Sequence, residues 1–185
     1  MFEDLIVIDC STVLAGPSVG TFFAELGASV TKIENPAIPD VTRSWKLASE
    51  DRNSSVSAYF ASVNYHKQYL KLNFKDTSGI NQLIALLEKA DILLSNFKKG
   101  DAEKFGLTDA YLHSFNPRLI IGKISGFGAE SDRVAYDLIL QAETGFMSMN
   151  GTPESGPVKM PVALIDVLAA HQLKAGLLTA LLHRT

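Results

Sequence analysis

Short apolar runs alternate with longer amphipathic segments along the whole chain. Five of the apolar runs have the length of strands and little internal alternation, which suits strands that are covered on both faces. These predicted strands are residues 5–8, 29–34, 69–74, 91–95 and 119–124. The segments between them carry apolar residues at helical spacing, most clearly at Leu83, Ile84 and Leu87. Strands that alternate with helices in this way predict an α/β fold with a mainly parallel sheet.

Six helices are predicted from the same pattern, at residues 18–26, 54–63, 78–90, 109–115, 137–149 and 166–183. Two other stretches, residues 35–53 and 150–161, lack this periodicity and contain prolines or glycines, so we predict long loops there. Long loops without regular structure are often functional in compact domains. The length of 185 residues and the hydrophobic content of 46% predict one domain with a single sizeable core.

Composition and charge argue against several classes of function. Charged residues make up 20% of the chain and the formal net charge is −3, so neither a nucleic-acid partner nor a membrane partner is expected. No apolar stretch is expected to be long enough to cross a bilayer, and the acidic N-terminus does not resemble a signal peptide. Cys10 is the only cysteine, which excludes an internal disulfide and favours a reducing, cytoplasmic location. The four histidines lack metal-ligand spacing, and no metal site is predicted.

Two places in the sequence can bind an anion or carry chemistry. The first strand runs into a turn of Val13, Leu14, Ala15 and Gly16, and a helix follows directly. A strand, a tight turn and a helix N-terminus can together bind a phosphate or carboxylate, although such turns are also common as plain connections. Towards the end of the chain, Asp166 stands where a leucine-rich helix begins, and this position alone predicts an N-cap.

An ordered set of short motifs extends through almost the whole chain. They are residues 14–17 (LAGP), 24–28 (AELGA), 32–34 (KIE), 40–43 (DVTR), 64–67 (NYHK), 90–97 (ADILLSNF), 116–120 (NPRLI), 125–128 (SGFG), 136–137 (YD), 141–142 (QA) and 165–166 (ID). Each motif is ordinary alone, but their order and spacing closely resemble the family III CoA transferases, the group that contains formyl-CoA and carnitine-CoA transferases. The related α-methylacyl-CoA racemases share that fold. The resemblance implies a Rossmann-like, mainly parallel sheet flanked by helices.

Members of this family are considerably longer and form interlocked dimers. By resemblance, residues 1–185 are the CoA-binding portion of the large domain. A C-terminal small domain, the return segment and a glycine-rich loop over the active site would lie beyond residue 185. We therefore expect a homodimer, or association with such a C-terminal portion, and some exposed apolar surface on residues 1–185 alone. The implied substrates are an acyl-CoA and a carboxylic acid, with coenzyme A as the group that is moved.

The resemblance assigns chemistry to two aspartates. Asp166 corresponds to the nucleophile of the transferases, which attacks an acyl-CoA thioester and later carries CoA as an aspartyl thioester. Asp137 corresponds to an acidic residue near that nucleophile. The preceding residue is Tyr136, where the racemases have a histidine base, so CoA transfer is expected rather than racemisation. An acyl-CoA racemase and an inactive CoA-binding fragment remain the alternatives.

Coenzyme A itself is expected to contact the turn after the first strand and several polar or basic residues. The resemblance indicates Val13, Leu14, Ala15, Gly16, Asn35, Arg43, Asn96, Phe97, Lys98, Asp101 and Arg133. Leu14 stands where formyl-CoA transferases have glutamine, which argues against formate or oxalate as a substrate. Asn35 replaces the usual arginine of the family. The phosphates would then be met by one or more of Lys32, Arg43, Lys98, Lys99 and Arg133.

Overall fold

The computed structural model describes residues 1–184 and is centred on a five-stranded parallel sheet. The strands are β1 (Ile6–Asp9), β2 (Ser29–Glu34), β3 (Gln68–Lys71), β4 (Ile92–Ser95) and β5 (Ile120–Lys123). Their order across the sheet is β3-β2-β1-β4-β5, and each neighbouring pair is parallel. The predicted α/β fold with a parallel sheet is therefore confirmed.

Helices cover both faces of this sheet. Within residues 1–184 they are α1 (Ala15–Glu25), α2 (Ala58–Ser62), α3 (Thr77–Leu87), α4 (Asp101–Lys104), α5 (Asp109–Phe115), α6 (Asp137–Glu143) and α7 (Leu164–Arg184). On one face, α1 and α7 share a core in which Val7, Phe23 and Leu177 are buried. On the other face, α3 and α5 pack on a second core that contains Ile8 and Leu83. Val7 and Ile8 are consecutive in β1, so the alternation of the strand directs them to opposite cores.

The order of the strands locates a ligand site. From β1 the chain moves outward to β2 and β3 on one side, and it then continues through β4 and β5 on the other side. The connections that leave the carboxyl ends of β1 and β4 therefore diverge, and ligands of open α/β sheets bind in the crevice that this divergence creates. The predicted CoA-binding turn at residues 13–16 follows β1, and Asn96 follows β4.

One predicted helix and one predicted loop differ from the structure. The helix predicted at residues 137–149 stops at Glu143, because Gly145 adopts a left-handed φ of 86° that interrupts it. The stretch Phe146–Met149 then forms a 3-10 helix. The loop predicted at residues 150–161 contains a small antiparallel hairpin, β6 (Gly151–Thr152) with β7 (Gly156–Pro157).

Helix α7 is longer than predicted, and this corrects the expectation about bilayer-spanning stretches. It has 21 residues and could cross a membrane by length and composition alone. In the structure it packs along α1 and β5, and Ala170 and Leu177 are buried in that contact. Val167 and Leu168 remain 39% and 47% exposed, so the predicted exposed apolar surface is confirmed for this helix.

Candidate active site

The turn after β1 and the loop after β4 are tied together at the crevice. The Thr12 N–H donates to Asn96 Oδ1 at 3.0 Å, and Asn96 Nδ2 donates back to the Thr12 carbonyl at 3.0 Å. These two residues are 84 positions apart in sequence. The structure therefore brings together two segments that were predicted to bind CoA, residues 13–16 and 96–97.

Val13 has a backbone conformation that β-branched residues rarely adopt. Its φ is 73°, in the left-handed region, where a non-glycine residue costs on the order of 1–3 kcal/mol. The next residue, Leu14, is the N-cap of α1 and provides no side-chain hydrogen bond to the helix. Within residues 1–184, no side-chain acceptor caps the first turn of α1. A strained turn before such a helix N-terminus suits the binding of an anionic group.

Gly16 allows this turn to pack closely against the end of β1. A Cβ at residue 16 would lie 2.3 Å from the Cβ of Ser11, which is fully buried. The carboxylate of Asp9 accepts hydrogen bonds from both the N–H and the hydroxyl of Ser11. Asp9 is paired in turn with Lys67 at 2.8 Å, and neither of these side chains is exposed. The buried ion pair of Asp9 and Lys67 therefore holds Ser11, against which the turn packs.

Asp137 caps the helix that carries Asp166. Its Oδ1 accepts hydrogen bonds from the N–H of Ile165 at 2.7 Å and from the N–H of Asp166 at 3.2 Å. Its Oδ2 accepts a hydrogen bond from Gln141 Nε2 at 2.5 Å. Asp166 is the third residue of α7, not the residue before its first turn. The prediction that Asp166 is the N-cap is therefore wrong, because the capping carboxylate comes from α6.

The half-buried carboxyl group of Asp166 is less acidic than an exposed aspartate. Burial, and to a smaller extent the charge of Asp137, raise the pKa of Asp166 from 3.8 to about 6. Most of the group is still ionised at neutral pH. A carboxylate that is poorly hydrated and more basic than usual is a better nucleophile than an exposed one. The environment of Asp166 therefore suits a nucleophile.

Two aromatic residues that the sequence analysis missed belong to the same region. Burial raises the pKa of the Tyr59 phenol, and the charges of Asp166 and Asp137 raise it further, so this phenol is within electrostatic range of both carboxylates. The Trp45 ring packs edge-on against Tyr59 with their centroids 5.2 Å apart. Trp45 is the only tryptophan of the chain and lies in a polar loop. A large aromatic residue in such a loop is the signal that could have identified this pair.

Some of the residues proposed to meet CoA phosphates have partners within the chain. The Arg43 guanidinium binds both carboxylate oxygens of Glu34, at 2.9 and 2.6 Å, and lies over the Phe60 ring. Lys32 is fully buried and pairs with Asp40 at 3.3 Å. The prediction that Lys32 could meet a phosphate is therefore wrong, because none of its surface is accessible. A contact between Arg43 and CoA stays a prediction.

The loop after β4 provides three further predicted CoA ligands. The Phe97 ring packs edge-on against Phe105 with the centroids 5.8 Å apart. Lys98 is exposed, and Asp101 begins α4, with its N–H donating to the Lys98 carbonyl at 3.0 Å. The contacts of these residues with CoA stay predictions.

Two predicted ligands lie on other loops. The Asn35 side-chain oxygen accepts a hydrogen bond from the N–H of Ala37 at 2.9 Å, so this residue forms a local turn. The Arg133 guanidinium stacks over the Phe127 ring at 3.8 Å and forms an exposed ion pair with Glu143. Their contacts with CoA also stay predictions.

Comparison with known proteins gives one consistent family. The family model described as CoA-transferase family III matches residues 2–185. The chain is 36% identical over 183 residues to the succinate–glutarate CoA-transferase of Agrobacterium fabrum, covering 96% of this chain and 46% of that protein. It is 38% identical over 181 residues to a formyl-CoA:oxalate CoA-transferase of Escherichia coli, covering 96% of this chain and 43% of that protein.

Solved structures agree with this assignment. A CAIB/BAIF family protein from Brucella suis matches with a TM-score of 0.88 and 33% identity, over 97% of this chain and 48% of that one. A protein from Mycobacterium tuberculosis matches with a TM-score of 0.89 and 31% identity, over 99% of this chain and 51% of that one. The chain thus spans about half the length of these relatives. By its family match, its identity to these transferases and its fold, the chain belongs to CoA-transferase family III.

Proposed function

We propose that this chain is the CoA-binding and nucleophile-bearing part of an enzyme that moves CoA from an acyl-CoA to a carboxylic acid. The observation that carries the proposal is the half-buried Asp166 in the first turn of α7, with a pKa raised to about 6 and with Asp137 capping the helix beneath it. Membership of the family supports the same role. The ring pair of Trp45 and Tyr59, whose phenol is within electrostatic range of both carboxylates, supports a partly apolar surface on this side of the site.

The proposed reaction has four steps. The first two convert the donor acyl-CoA into an aspartyl thioester of CoA, and the last two are the reverse steps with the acceptor acid. An oxygen of the Asp166 carboxylate attacks the thioester carbonyl, the C–S bond breaks, and CoA thiolate leaves behind a mixed anhydride. The thiolate then attacks the Asp166 carbonyl carbon, and the donor acid leaves as a carboxylate. The acceptor carboxylate attacks the resulting aspartyl thioester, which releases the thiolate again. Attack of this thiolate on the acceptor acyl group yields the new acyl-CoA and regenerates Asp166. Division into such steps is the advantage of covalent catalysis.

The other residues of the chain have binding and positioning roles in this scheme. The turn at residues 13–16 offers backbone N–H groups at the start of α1, which suits a phosphate of CoA or an oxyanion that develops during attack. Asn96 holds that turn through its two hydrogen bonds with Thr12. Asp137 keeps the N-terminus of α7 in place, and its negative charge makes the ionised form of Asp166 less stable and therefore more reactive.

A transfer assay on the full gene product that contains this chain tests the proposal. Relatives of the chain are named for succinate and glutarate, for succinyl-CoA and mesaconate, and for formyl-CoA and oxalate, so these compounds form the first panel. Thioester exchange is followed by chromatography of the CoA esters. Because Leu14 replaces the glutamine of formyl-CoA transferases, we expect the formyl-CoA and oxalate pair to be the poorest of the three.

Trapping with hydroxylamine or borohydride identifies the nucleophile. In the presence of acyl-CoA alone, the modification should be found on Asp166, and Asp166→Asn should abolish both the modification and the exchange. Undiminished turnover by Asp166→Asn would disprove the role of this residue. Exchange of the α-proton in D2O without transfer to an acid would support an acyl-CoA racemase instead.

We further propose that the protein acts in the cytoplasm, as a homodimer or together with a C-terminal portion of the family fold. Exposed apolar side chains on the two helices of the site support such an association, namely Leu138, Ile139, Val167 and Leu168. Sedimentation velocity on the full gene product tests this. A monomer at micromolar concentration would refute the homodimer, and fractionation of the source cells would test the location.

A further inference from the structure

Asp40 is a buried carboxylate that receives hydrogen bonds from the turn after β1, from β2 and from the 3-10 helix that it precedes. Its Oδ2 accepts the Val13 N–H at 3.1 Å and Lys32 Nζ at 3.3 Å. Its Oδ1 accepts the N–H and the hydroxyl of Thr42, at 3.1 and 2.7 Å. The residue is only 3% exposed. Asp40 therefore has a partner for each oxygen and no contact with bulk solvent.

One side of this arrangement fixes the strained turn. The Val13 N–H is held by Asp40, while Lys32 donates to the carbonyl of Ser11 two residues earlier. These two contacts hold the backbone on either side of Thr12. The positive φ of Val13 is unfavourable for a β-branched side chain, and such a conformation persists only where the surroundings determine it. Asp40 and Lys32 supply those surroundings.

The other side of the arrangement leads to the ring pair of Trp45 and Tyr59. Asp40 is the N-cap of the 3-10 helix Val41–Ser44, and the N–H of Trp45 donates to the Thr42 carbonyl at 3.1 Å. The same carbonyl accepts the Ser57 hydroxyl at 2.6 Å. Ser57 is the N-cap of α2, the helix that carries Tyr59. Hydrogen bonds through Thr42 thus connect Asp40 with the backbone of Trp45 and with Ser57, which lies two residues before Tyr59.

We infer that Asp40 is a positioning residue: one buried carboxylate holds both the turn that receives CoA and the segment that carries Trp45 and Tyr59. This inference rests on the proposed function, because it concerns how the CoA site is kept in place. Lys32 is its counter-charge and reinforces the turn through Ser11. If Asp40 only stabilised the fold, its loss would lower the unfolding temperature without a selective effect on CoA.

Titration calorimetry with CoA on the full gene product, wild type against Asp40→Asn, tests the inference. Asparagine has nearly the same shape but only one acceptor oxygen, so either Val13 and Lys32 or the Thr42 N–H lose their acceptor. We expect the dissociation constant of CoA to rise by about tenfold or more, the effect of one lost hydrogen bond to a charged group. The control is Asp91→Asn, because Asp91 pairs with Arg184 at 2.7 Å at the opposite, amino ends of the strands. Asp91→Asn should lower the unfolding temperature and leave CoA affinity within about twofold of wild type.

A milder pair of variants decides the question if Asp40→Asn does not fold. Thr42→Val removes the hydroxyl that orients Asp40 without leaving a charge unpaired, and should weaken CoA binding by about threefold or more. Thr42→Ser keeps the hydroxyl and should restore wild-type affinity. Equal CoA affinity of wild type, Asp40→Asn and Thr42→Val would overturn the inference while leaving the proposed function intact. A wild-type gene product that neither binds CoA nor exchanges thioesters would overturn both.

Discussion

Replacement of Asp166 by asparagine should make the protein more stable at neutral pH while it abolishes transfer. Burial and the charge of Asp137 raise the pKa of Asp166 from 3.8 to about 6, so the folded state binds more protons than the unfolded chain between these values. Stability therefore falls as the pH rises through this window. Once the pH is well above 6, Asp166 is ionised in both states, and its unfavourable contribution to the free energy of unfolding no longer changes with pH.

The magnitude follows from the shift in pKa and the exposure of the group. A change from 3.8 to about 6 corresponds to about 3 kcal/mol for a fully shielded carboxyl group. Asp166 is only half-buried, and solvent screening weakens such effects, so we expect about 1–2 kcal/mol. Asparagine has nearly the same shape and no charge. Asp166→Asn should therefore raise the free energy of unfolding by about that amount at pH 7.5.

Urea unfolding of both proteins at several pH values measures this effect. The stability gap should be largest above about pH 6 and should close as the pH falls towards 4, where the wild-type carboxyl group is protonated in the folded state. Asp137→Asn is a useful control: it weakens the cap of α7, but it also removes the smaller cause of the shift, so its free energy of unfolding should fall less steeply than that of wild type between about pH 4 and pH 6. Equal stabilities at pH 7.5, or a gap that does not narrow at lower pH, would refute the reasoning.

Three further predictions concern the parts of the fold that hold the site. Asp137→Ala should lower the free energy of unfolding by about 0.5–2 kcal/mol in urea titrations because α7 loses its cap, whereas Asp137→Asn keeps an acceptor oxygen and should lose less. Gly16→Ala should cost about 1–3 kcal/mol in thermal unfolding, because its Cβ would lie 2.3 Å from a buried serine. Its control is Gly176→Ala, whose added Cβ meets nothing within 4 Å and which should be neutral or stabilise α7 by about 0.5–1 kcal/mol. Lys67→Met should cost about 3–5 kcal/mol because it leaves the buried Asp9 charge unpaired, and addition of Asp9→Asn should recover part of that loss in the same titration.

The local pattern of apolar and polar residues was sufficient to predict the strands and the clearest helices of this protein. Apolar runs predicted all five strands of the sheet, with β2 at its predicted bounds. Burial on both faces explains the continuous apolar signal of the central strands such as β4, whereas the edge strand β3 is mostly exposed. Helical spacing likewise predicted α3 and α5, the latter at its predicted bounds, Asp109–Phe115. The order of the short motifs predicted the family. Each of these signals is contained within a few neighbouring residues, or in their order along the chain.

The tertiary structure decided how the site is assembled. The sequence predicted Asp166 as the N-cap of α7, but the capping carboxylate is that of Asp137. Asp137 accepts the N–H of Ile165, which lies 28 residues later in the chain. The tie between Thr12 and Asn96 spans 84 residues, and the support of Asp9 by Lys67 spans 58. Hydrogen bonds and ion pairs of this kind depend on which loops the strand order brings to the same edge of the sheet. No local periodicity records them, because a polar side chain that will be buried against a distant partner has the same sequence signature as one that stays in water.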